Sequence, residues 1–383
     1  MAGIYIHIPF CRSRCIYCGF YSTTSLELRQ RYVDALCREM EIRSQRSEVR
    51  GENIETIYLG GGTPSQLTFD QLRQLFTFIN KVYPLPSKPG GAEDRPEITI
   101  EVNPDDVTIE FAAVLQQLPV NRVSMGIQTF DDQRLRFLRR RHTARQAIEA
   151  VSILRAAGIR NISIDLMYGF PGETLADWEA DISAALVLNV EHLSAYCLMI
   201  EEGTPLHRML KQHTGDEETE RQMYEVLIDR LTTADYEHYE ISNFARPGFR
   251  SRHNSSYWNG TPYIGLGAAA HSYDIRSRSW NVADIRQYIE GMERCERIFE
   301  EELLDDDTRY NDIVTVALRT REGINLNALS EKYRNHCIKN ARRYLDDGLL
   351  ELTSPLSPVT SHLRLTRRGL FVSDMVMSNL MMV

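Results

Sequence analysis

Short β-branched runs alternate with longer amphipathic stretches through the first two thirds of the sequence, and this alternation constrains the fold more than any other feature. The runs predict strands at Ile4–Ile8, Thr56–Leu59, Ile98–Val102, Arg122–Ile127, Ile162–Met167 and His192–Leu198. The stretches predict helices at Leu26–Arg46, Ser65–Val82, Thr108–Leu118, Thr143–Ala157 and Thr174–Leu188. Strands that alternate with helices form parallel βαβ units, and about six units favour a partial (β/α) barrel. A doubly wound open sheet is the alternative.

The pattern changes towards the C-terminus. Residues 236–273 are rich in aromatic residues, glycine and histidine and show no helical period. The acidic runs Glu300–Glu302 and Asp305–Asp307 are interpreted as a solvated linker or a helix start. A winged-helix-like order follows, with helices at Ile324–Tyr333 and Ile338–Asp347 and strands at Glu351–Thr353 and His362–Thr366. We therefore predict a core at 1–235, an extension at 236–295 and a smaller, mainly helical cap at 296–383.

Composition and charge exclude several classes of protein. The 383 residues carry 44 Lys and Arg against 53 Asp and Glu, and this net charge of −9 argues against nucleic-acid binding, which needs a basic surface. No run of about 18 apolar residues predicts a membrane span, and the N-terminus has no secretory-signal pattern. Four of the seven cysteines are isolated, namely Cys37, Cys197, Cys295 and Cys337. We therefore expect a cytoplasmic protein without a disulfide framework.

The other three cysteines, Cys11, Cys15 and Cys18, follow the first predicted strand with C-x3-C-x2-C spacing. Thiolates are soft ligands that suit zinc or an iron–sulfur cluster. Structural zinc sites usually take four ligands, and this loop contains no fourth cysteine or histidine. Three thiolates instead leave one iron of a four-iron cluster open to a further ligand. The spacing therefore favours a 4Fe–4S cluster.

This cysteine loop, with Tyr17 before its last cysteine, resembles the loop of the radical SAM superfamily. The resemblance implies a partial barrel of radical SAM type, in which the amino and carboxylate groups of S-adenosylmethionine chelate the open iron. Polar residues at the ends of successive strands support it, because barrels carry their chemistry there. Glycines permit close backbone approach, and an arginine can pair with a carboxylate. The predicted cofactor-binding residues are Tyr5, Tyr17, Gly61, Gly62, Thr63, Glu101, Gln128, Arg140 and Asp165.

Longer segments are similar to the coproporphyrinogen III oxidase-like group of that superfamily, namely 4–11, 60–65, 163–172, 193–196, 239–245 and 265–272. Two families compete within this group: heme chaperones, and dehydrogenases that decarboxylate coproporphyrinogen III through a 5'-deoxyadenosyl radical. Phe20 stands where the dehydrogenases carry a further cysteine, and their longer N-terminal segment is not seen before the first strand. Gly19 departs from the aspartate that is frequent in the group. The comparison favours the chaperone family and keeps the dehydrogenase as the alternative.

The HNxxYW motif at 253–258 also favours the heme chaperones. A neutral imidazole is a good iron ligand, and aromatic faces suit a macrocycle, so we predict heme contact by His253, Tyr257 and Trp258. Candidate partners of the heme propionates are Arg246, Arg250 and Arg252. The alternative is that the motif braces a surface turn. The resemblance implies heme transfer to apo-hemoproteins of the respiratory chain, and with it peripheral contact with the cytoplasmic membrane.

Overall fold

The computed structural model describes residues 2–45, 54–83, 95–210, 216–353 and 361–382. Its strands are β1 Ala2–Ile8, β2 Ile54–Gly61, β3 Glu97–Val102, β4 Arg122–Gln128, β5 Asn161–Tyr168, β6 His192–Cys197, β7 Glu237–Glu240, β8 Asn243–Ala245, β9 Tyr263–Leu266, β10 His271–Tyr273, β11 Ser277–Asn281, β12 Phe299–Leu303, β13 Ile324–Asn325, β14 Leu350–Thr353 and β15 His362–Leu365. Its α-helices are α1 Arg29–Gln45, α2 Phe69–Val82, α3 Ile109–Leu115, α4 Asp132–Phe137, α5 Ala144–Ala156, α6 Leu175–Val187, α7 Pro205–Met209, α8 Glu217–Thr233, α9 Arg252–Trp258, α10 Ile285–Glu293, α11 Asp306–Ala317, α12 Glu331–Asp346, α13 Arg367–Leu370 and α14 Ser373–Leu380.

Strands β1 to β6 lie side by side in chain order, and all neighbours among them are parallel. A doubly wound sheet would reverse its strand order near the middle, so this order identifies the predicted partial barrel. Strand β9 pairs in parallel with β1 and continues into the antiparallel strands β10, β11 and β12. Strands β8 and β7 add an antiparallel hairpin beyond β6. The predicted fold class is confirmed.

Alternate residues of the barrel strands separate an apolar face from a polar one. Ile4, Ile6 and Ile8 of β1 are fully buried in the large core, which the surrounding helices complete. The intervening residues of β1 are Tyr5 and His7, whose side chains are hydrogen-bonded to each other. Since successive side chains of a strand point to opposite faces, the barrel interior is lined by polar groups while its outside packs on helices.

Threonine caps fix where several helices begin. Thr68, Thr143 and Thr174 each form a capping box with the residue three positions later. The helix predicted from Ser65 therefore starts at Phe69, after the Thr68 cap. The predicted end of the first helix at Arg46 lies outside the described residues. Within the described ranges, no helix is both long and apolar enough to cross a membrane.

Two C-terminal predictions were wrong. The acidic run Glu300–Glu302 is no linker or helix start but part of the edge strand β12. The second acidic run, Asp305–Asp307, does form a helix start, because Asp305 caps α11. The stretch Ile324–Tyr333 is no continuous helix, because Asn325 ends the short strand β13 and caps a 3-10 turn before α12 begins at Glu331.

The C-terminal part nevertheless has a winged-helix-like order, in which α11 is the first helix and α12 includes all but the last residue of the helix predicted at Ile338–Asp347. Helices α11 and α12 pack with a small antiparallel sheet, ordered β13-β15-β14, around a second apolar core from Tyr310 to Leu380. The main sheet reaches as far as β12, beyond residue 296. The division into 1–235, 236–295 and 296–383 stays a prediction.

Candidate functional site

The cysteine loop leaves the carboxyl end of β1 and is held by backbone hydrogen bonds. Near its start, Cys11 N donates to Thr23 O at 2.9 Å. In its middle, the buried Ile16 donates through its N–H to Leu138 O and accepts through its carbonyl from Leu206 N. The loop backbone that carries the three cysteines is therefore anchored to two other parts of the barrel rim.

The three thiols are partly buried and close enough to interact electrostatically. Cys11 Sγ lies 3.5 Å from Thr63 Oγ1, and Cys15 Sγ lies 3.6 Å from Arg140 Nη1. Burial raises the pKa of both Cys11 and Cys18, and iron ligation would offset this by removing the proton. Among the described residues, no three histidine, cysteine or carboxylate side chains lie close enough together to hold a single metal ion. A four-iron cluster needs no such convergence, because each cysteine binds its own iron, so the loop fits a cluster better than zinc.

The glycine segment at the end of β2 packs against the entry to this loop. Gly61 has a φ of 106°, and a Cβ there would lie 2.4 Å from the His7 ring. Its N–H donates to Glu101 Oε2 at 3.0 Å, while Gly62 N donates to the last carbonyl of β1 at 2.9 Å. Thr63 is buried beside Cys11. The glycines thus permit close packing within the protein, and both N–H groups already have protein partners.

Two carboxylates lie on the polar face of the barrel. Glu101 Oε1 accepts from Tyr58 OH at 2.7 Å. Burial raises the pKa of Glu101 to about 7 and that of Asp165 to about 6, although hydroxyls of Ser194 and Ser124 partly stabilise the Asp165 anion. A buried carboxylate gains from any further hydrogen-bond donor or cation that reaches it. The pair can therefore bind ribose hydroxyls or an ammonium group.

Arg140 connects the cysteine loop with the strand ends. Besides its contact with Cys15, its Nη2 donates to Asn103 Oδ1 at 2.7 Å and to the carbonyl of Gly126. Gln128 ends β4 with a φ of 75°, at a bulge where the register against β5 shifts. Such a bulge re-aims a side chain at a strand end. Hydrogen bonds thus fix the Arg140 side chain at the carboxyl ends of the barrel strands, and the bulge places Gln128 at the same end.

The two predicted tyrosines, Tyr5 and Tyr17, lie in different parts of the barrel. Burial raises the pKa of Tyr17, which contacts Cys15 and lies near Arg140. Tyr5 lies deeper, opposite Tyr58 in the pairing of β1 with β2, and its hydroxyl is 2.9 Å from His7 Nδ1. Tyr17 therefore belongs to the cysteine loop, whereas Tyr5 belongs to the barrel interior.

Sequence reasoning missed four polar residues of this region: Tyr58, Asn103, Ser124 and Ser194. One of them carried a signal in the sequence: Asn103 lies two residues beyond Glu101, so strand periodicity would have found it. Ser124 and Ser194 lie beside Glu101 and Asp165 only through pairing between neighbouring strands, which the folded sheet defines.

The HNxxYW motif forms α9 and lies near the other end of the barrel, against the first residues of β2 and β3. Glu97, which begins β3, accepts from His253 N at 3.1 Å. The His253 ring is 1% exposed, with Nδ1 2.8 Å from Thr56 Oγ1 and Nε2 2.9 Å from Tyr257 OH. Burial lowers the pKa of His253 to about 3, so the imidazole is neutral. The predicted residues thus form two groups, and Tyr58 stands between them because it stacks on His253 and hydrogen-bonds Glu101.

The aromatic and basic residues near His253 differ in whether they have a hydrogen-bond or ion-pair partner in the protein. Trp258 Nε1 is buried and has no partner among the described residues. Arg250 is held by two carboxylates at 2.9 and 2.8 Å. Arg246 donates to an asparagine oxygen at 2.6 Å, and Arg252 donates to a backbone carbonyl at 2.8 Å. The three arginines considered for propionates therefore each have a protein partner.

The sequential parallel sheet, the cysteine loop and the polar strand ends define a radical SAM protein. The family model described as the Radical SAM superfamily matches residues 5–185. The solved coproporphyrinogen III oxidase (HemN) from Escherichia coli, described as a radical SAM enzyme, matches with a TM-score of 0.82. That match covers 99% of this chain and 90% of the other at 21% identity, so it shows a shared fold. The superfamily implies a 4Fe–4S cluster and S-adenosylmethionine.

Curated relatives define the family within that class. A protein of Bacillus subtilis is 35% identical over 341 residues, which are 87% of each chain. One from Mycobacterium tuberculosis is 33% identical over 99% of this chain and 94% of its own, and one from Escherichia coli is 34% identical over 70% and 69%. All three are named heme chaperone HemW. The chain belongs to the heme chaperone HemW family.

Proposed function

We propose that this chain binds heme and transfers it to apo-hemoproteins, in particular those of the respiratory chain. The observation that carries the proposal is the 35% identity, over 87% of both chains, to a protein named as a heme chaperone. We place the protein in the cytoplasm. Contact with the membrane surface would follow from where respiratory hemoproteins reside.

The cysteine end of the barrel supports the cofactor assignment. We assign Cys11, Cys15 and Cys18 as cluster ligands, with Tyr17 and Thr63 beside them. A 4Fe–4S cluster with S-adenosylmethionine supplies electron transfer and, in this superfamily, radical chemistry. The residues assigned to S-adenosylmethionine are Tyr5, Gly61, Gly62, Glu101, Gln128, Arg140 and Asp165. The two carboxylates would accept hydrogen bonds from its ribose or amino group, and Arg140 would meet its carboxylate.

Glu101→Gln is expected to weaken binding of S-adenosylmethionine about tenfold or more while the cluster stays in place. The reason is the loss of a charged acceptor, since a hydrogen bond to a charged group is worth about 1.5–3 kcal/mol. Asp165→Asn should act in the same direction. Calorimetry on cluster-loaded protein measures both affinities.

Glu110→Gln is the matched control, because Glu110 is exposed on α3. Arg140→Ala is a poorer test than either carboxylate variant, because Arg140 also touches Cys15. If both Glu101→Gln and Asp165→Asn bind S-adenosylmethionine as the unsubstituted chain does, the two carboxylates do not belong to its site.

For heme, we propose His253 as the iron ligand and Tyr257 and Trp258 as contacts of the macrocycle. The imidazole is neutral, as ligation requires. Its Nδ1 bond to Thr56 is enclosed, whereas its Nε2 bond to Tyr257 is only partly buried. Nε2 is therefore the atom that would reach heme iron, after the Tyr257 hydroxyl moves away.

The alternative function is oxidative decarboxylation of coproporphyrinogen III, which the likeness to the Escherichia coli HemN fold keeps open. We expect no product when the cluster-loaded chain receives coproporphyrinogen III, S-adenosylmethionine and a reductant. The reason is Phe20, which is 71% exposed after the cysteine loop where the dehydrogenases carry a cysteine. Mass spectrometry for protoporphyrinogen gives the measurement. Sustained turnovers would establish the dehydrogenase and end the chaperone proposal.

A further inference from the structure

A groove of 220 Å³ lies between the β7–β8 hairpin and the winged-helix-like part. Its apolar lining includes Ile241, Leu365 and Leu370. Four arginines also line it, namely Arg319, Arg321, Arg364 and Arg367. This concentration of guanidinium groups stands out in a chain whose net charge is −9.

Two of these arginines have close carboxylate partners. Arg364 Nε lies 2.7 Å from Glu351 Oε1. Arg367 makes two bonds to Asp229 of α8, at 2.6 and 3.0 Å, and so joins the C-terminal part to the barrel. The positive charges of both guanidinium groups are therefore neutralised by carboxylates of the protein itself.

The other two arginines are not neutralised in this way. Arg319 comes within 3.8 Å of Asp374, whose side chain is 89% exposed, and is close enough to the buried Glu240 to act on the pKa of its carboxyl. In the described part of the chain, the guanidinium of Arg321 makes no hydrogen bond or ion pair with a side chain. The groove is thus lined by one guanidinium without a side-chain partner among the described residues, Arg321, and by a second, Arg319, whose carboxylate neighbours are not in close contact.

Glu240, the other acidic residue that lines the groove, repels a bound anion only weakly. Glu240 is buried, and its Oε1 accepts from Ser242 N at 3.1 Å. Burial raises the pKa of Glu240 to about 7, which weakens its opposition to a bound anion. Since four arginines and two glutamates line it, the groove combines apolar walls with net positive charge.

The groove adjoins the segment that leads into the HNxxYW helix. Tyr239 accepts from Arg321 N at 3.0 Å through its carbonyl, and its hydroxyl accepts from Ser251 N at 3.4 Å. The residue after Arg321 pairs with Arg250, with 2.8 Å between the charged atoms. One tyrosine therefore connects the rim of the groove with the cap of α9.

We propose that this groove binds the carboxylates of a tetrapyrrole, with Arg321 and Arg319 as partners of the heme propionates. The inference deepens the proposed function and rests on it. Arginine forks match carboxylates, and the apolar walls suit the edge of a flat macrocycle. A volume of 220 Å³ holds the carboxylate edge of a tetrapyrrole and leaves the rest of the ring outside the groove.

The test compares heme and iron-free protoporphyrin IX with their dimethyl esters, which keep the ring and lose both carboxylates. Absorbance and fluorescence titrations on the cluster-loaded full chain give the affinities. The unsubstituted chain should bind each diacid about tenfold or more tightly than its ester, because charge-assisted hydrogen bonds to arginine are lost in the ester. Arg321→Gln should abolish most of this preference, Arg321→Lys should keep part of it, and Arg319→Gln added to Arg321→Gln should remove the rest.

Arg145→Gln is the matched control, because Arg145 is an exposed arginine on α5. Melting curves of the Arg321 variants should match that of the unsubstituted chain, since Arg321 is exposed. If the unsubstituted chain prefers the diacids and Arg321→Gln keeps that preference, the groove inference falls and the proposed function stands. If the unsubstituted chain binds diacid and ester equally, the groove inference also falls. If it binds neither heme nor protoporphyrin, the proposed function falls together with the groove.

Discussion

Cys15→Ala protein, reconstituted under anaerobic conditions, is expected to hold no 4Fe–4S cluster, whereas the unsubstituted chain should hold about four irons. The loop supplies three thiolates, so one substitution leaves two irons of the cluster without a protein ligand. Cys11→Ala and Cys18→Ala should give the same loss. Iron and sulfide analysis, together with the visible absorption of the cluster, measures the result.

Two isolated cysteines provide the matched controls for this loss. Cys197 ends the barrel strand β6, and its Sγ lies beside Gly169. Cys295 is exposed after α10. Cys197→Ala and Cys295→Ala should therefore each keep the full iron content. Loss of the cluster in Cys197→Ala and its retention in Cys18→Ala would overturn the ligand assignment.

The barrel was predictable because its strands and helices carry strong local patterns. The run Ile4–Ile8 lies within β1, and Thr108 caps the helix predicted to begin there. Strand β12 was missed because Glu300–Glu302 look solvated, and all five residues of the strand are indeed exposed. What holds this edge strand is its pairing with β11, including a contact of Arg278 with Glu302 at 3.4 Å. Such cross-strand partners are invisible in a single run of sequence.

The site residues likewise include some that local sequence predicts and one whose environment it does not. Glu101 and Asp165 could be predicted because they lie towards the carboxyl ends of buried strands. The place of His253 could not, because it depends on a contact with Thr56, 197 residues earlier in the chain. The sequence shows no helical period around the motif, whereas the chain folds it against the barrel as α9 and encloses the imidazole. Long-range packing, not local propensity, decides that environment.

His253→Ala is expected to lower the free energy of unfolding by about 2–4 kcal/mol at pH 7.5. The substitution leaves a cavity beside Tyr58 and removes the partners of Thr56 and Tyr257. Denaturant unfolding measures the loss. Asn254→Ala in the same helix is the control, since its side chain makes no hydrogen bond among the described residues.

The destabilisation should shrink at acidic pH. The folded pKa of His253 is about 3, below its usual value of 6.5, so acidification through pH 6.5 protonates this histidine only in the unfolded chain. That proton uptake destabilises the chain with His253 and is missing in the variant. The difference between the two should therefore fall by about 2 kcal/mol between pH 7.5 and pH 5. An equal loss at both pH values would contradict a buried neutral imidazole.

His253→Ala is also expected to change the Soret band of bound heme and to reduce heme transfer to an apo-hemoprotein. Tyr257→Phe is the matched comparison, because it keeps the imidazole and removes the hydroxyl that occupies Nε2. If Nε2 ligates heme iron, Tyr257→Phe should keep the Soret band of the unsubstituted chain and bind heme at least as tightly. Heme titration and a melting curve on one preparation separate ligation from stability. An unaltered Soret band with a clearly lower melting temperature in His253→Ala would assign this histidine to the packing of the barrel and remove it from the heme site.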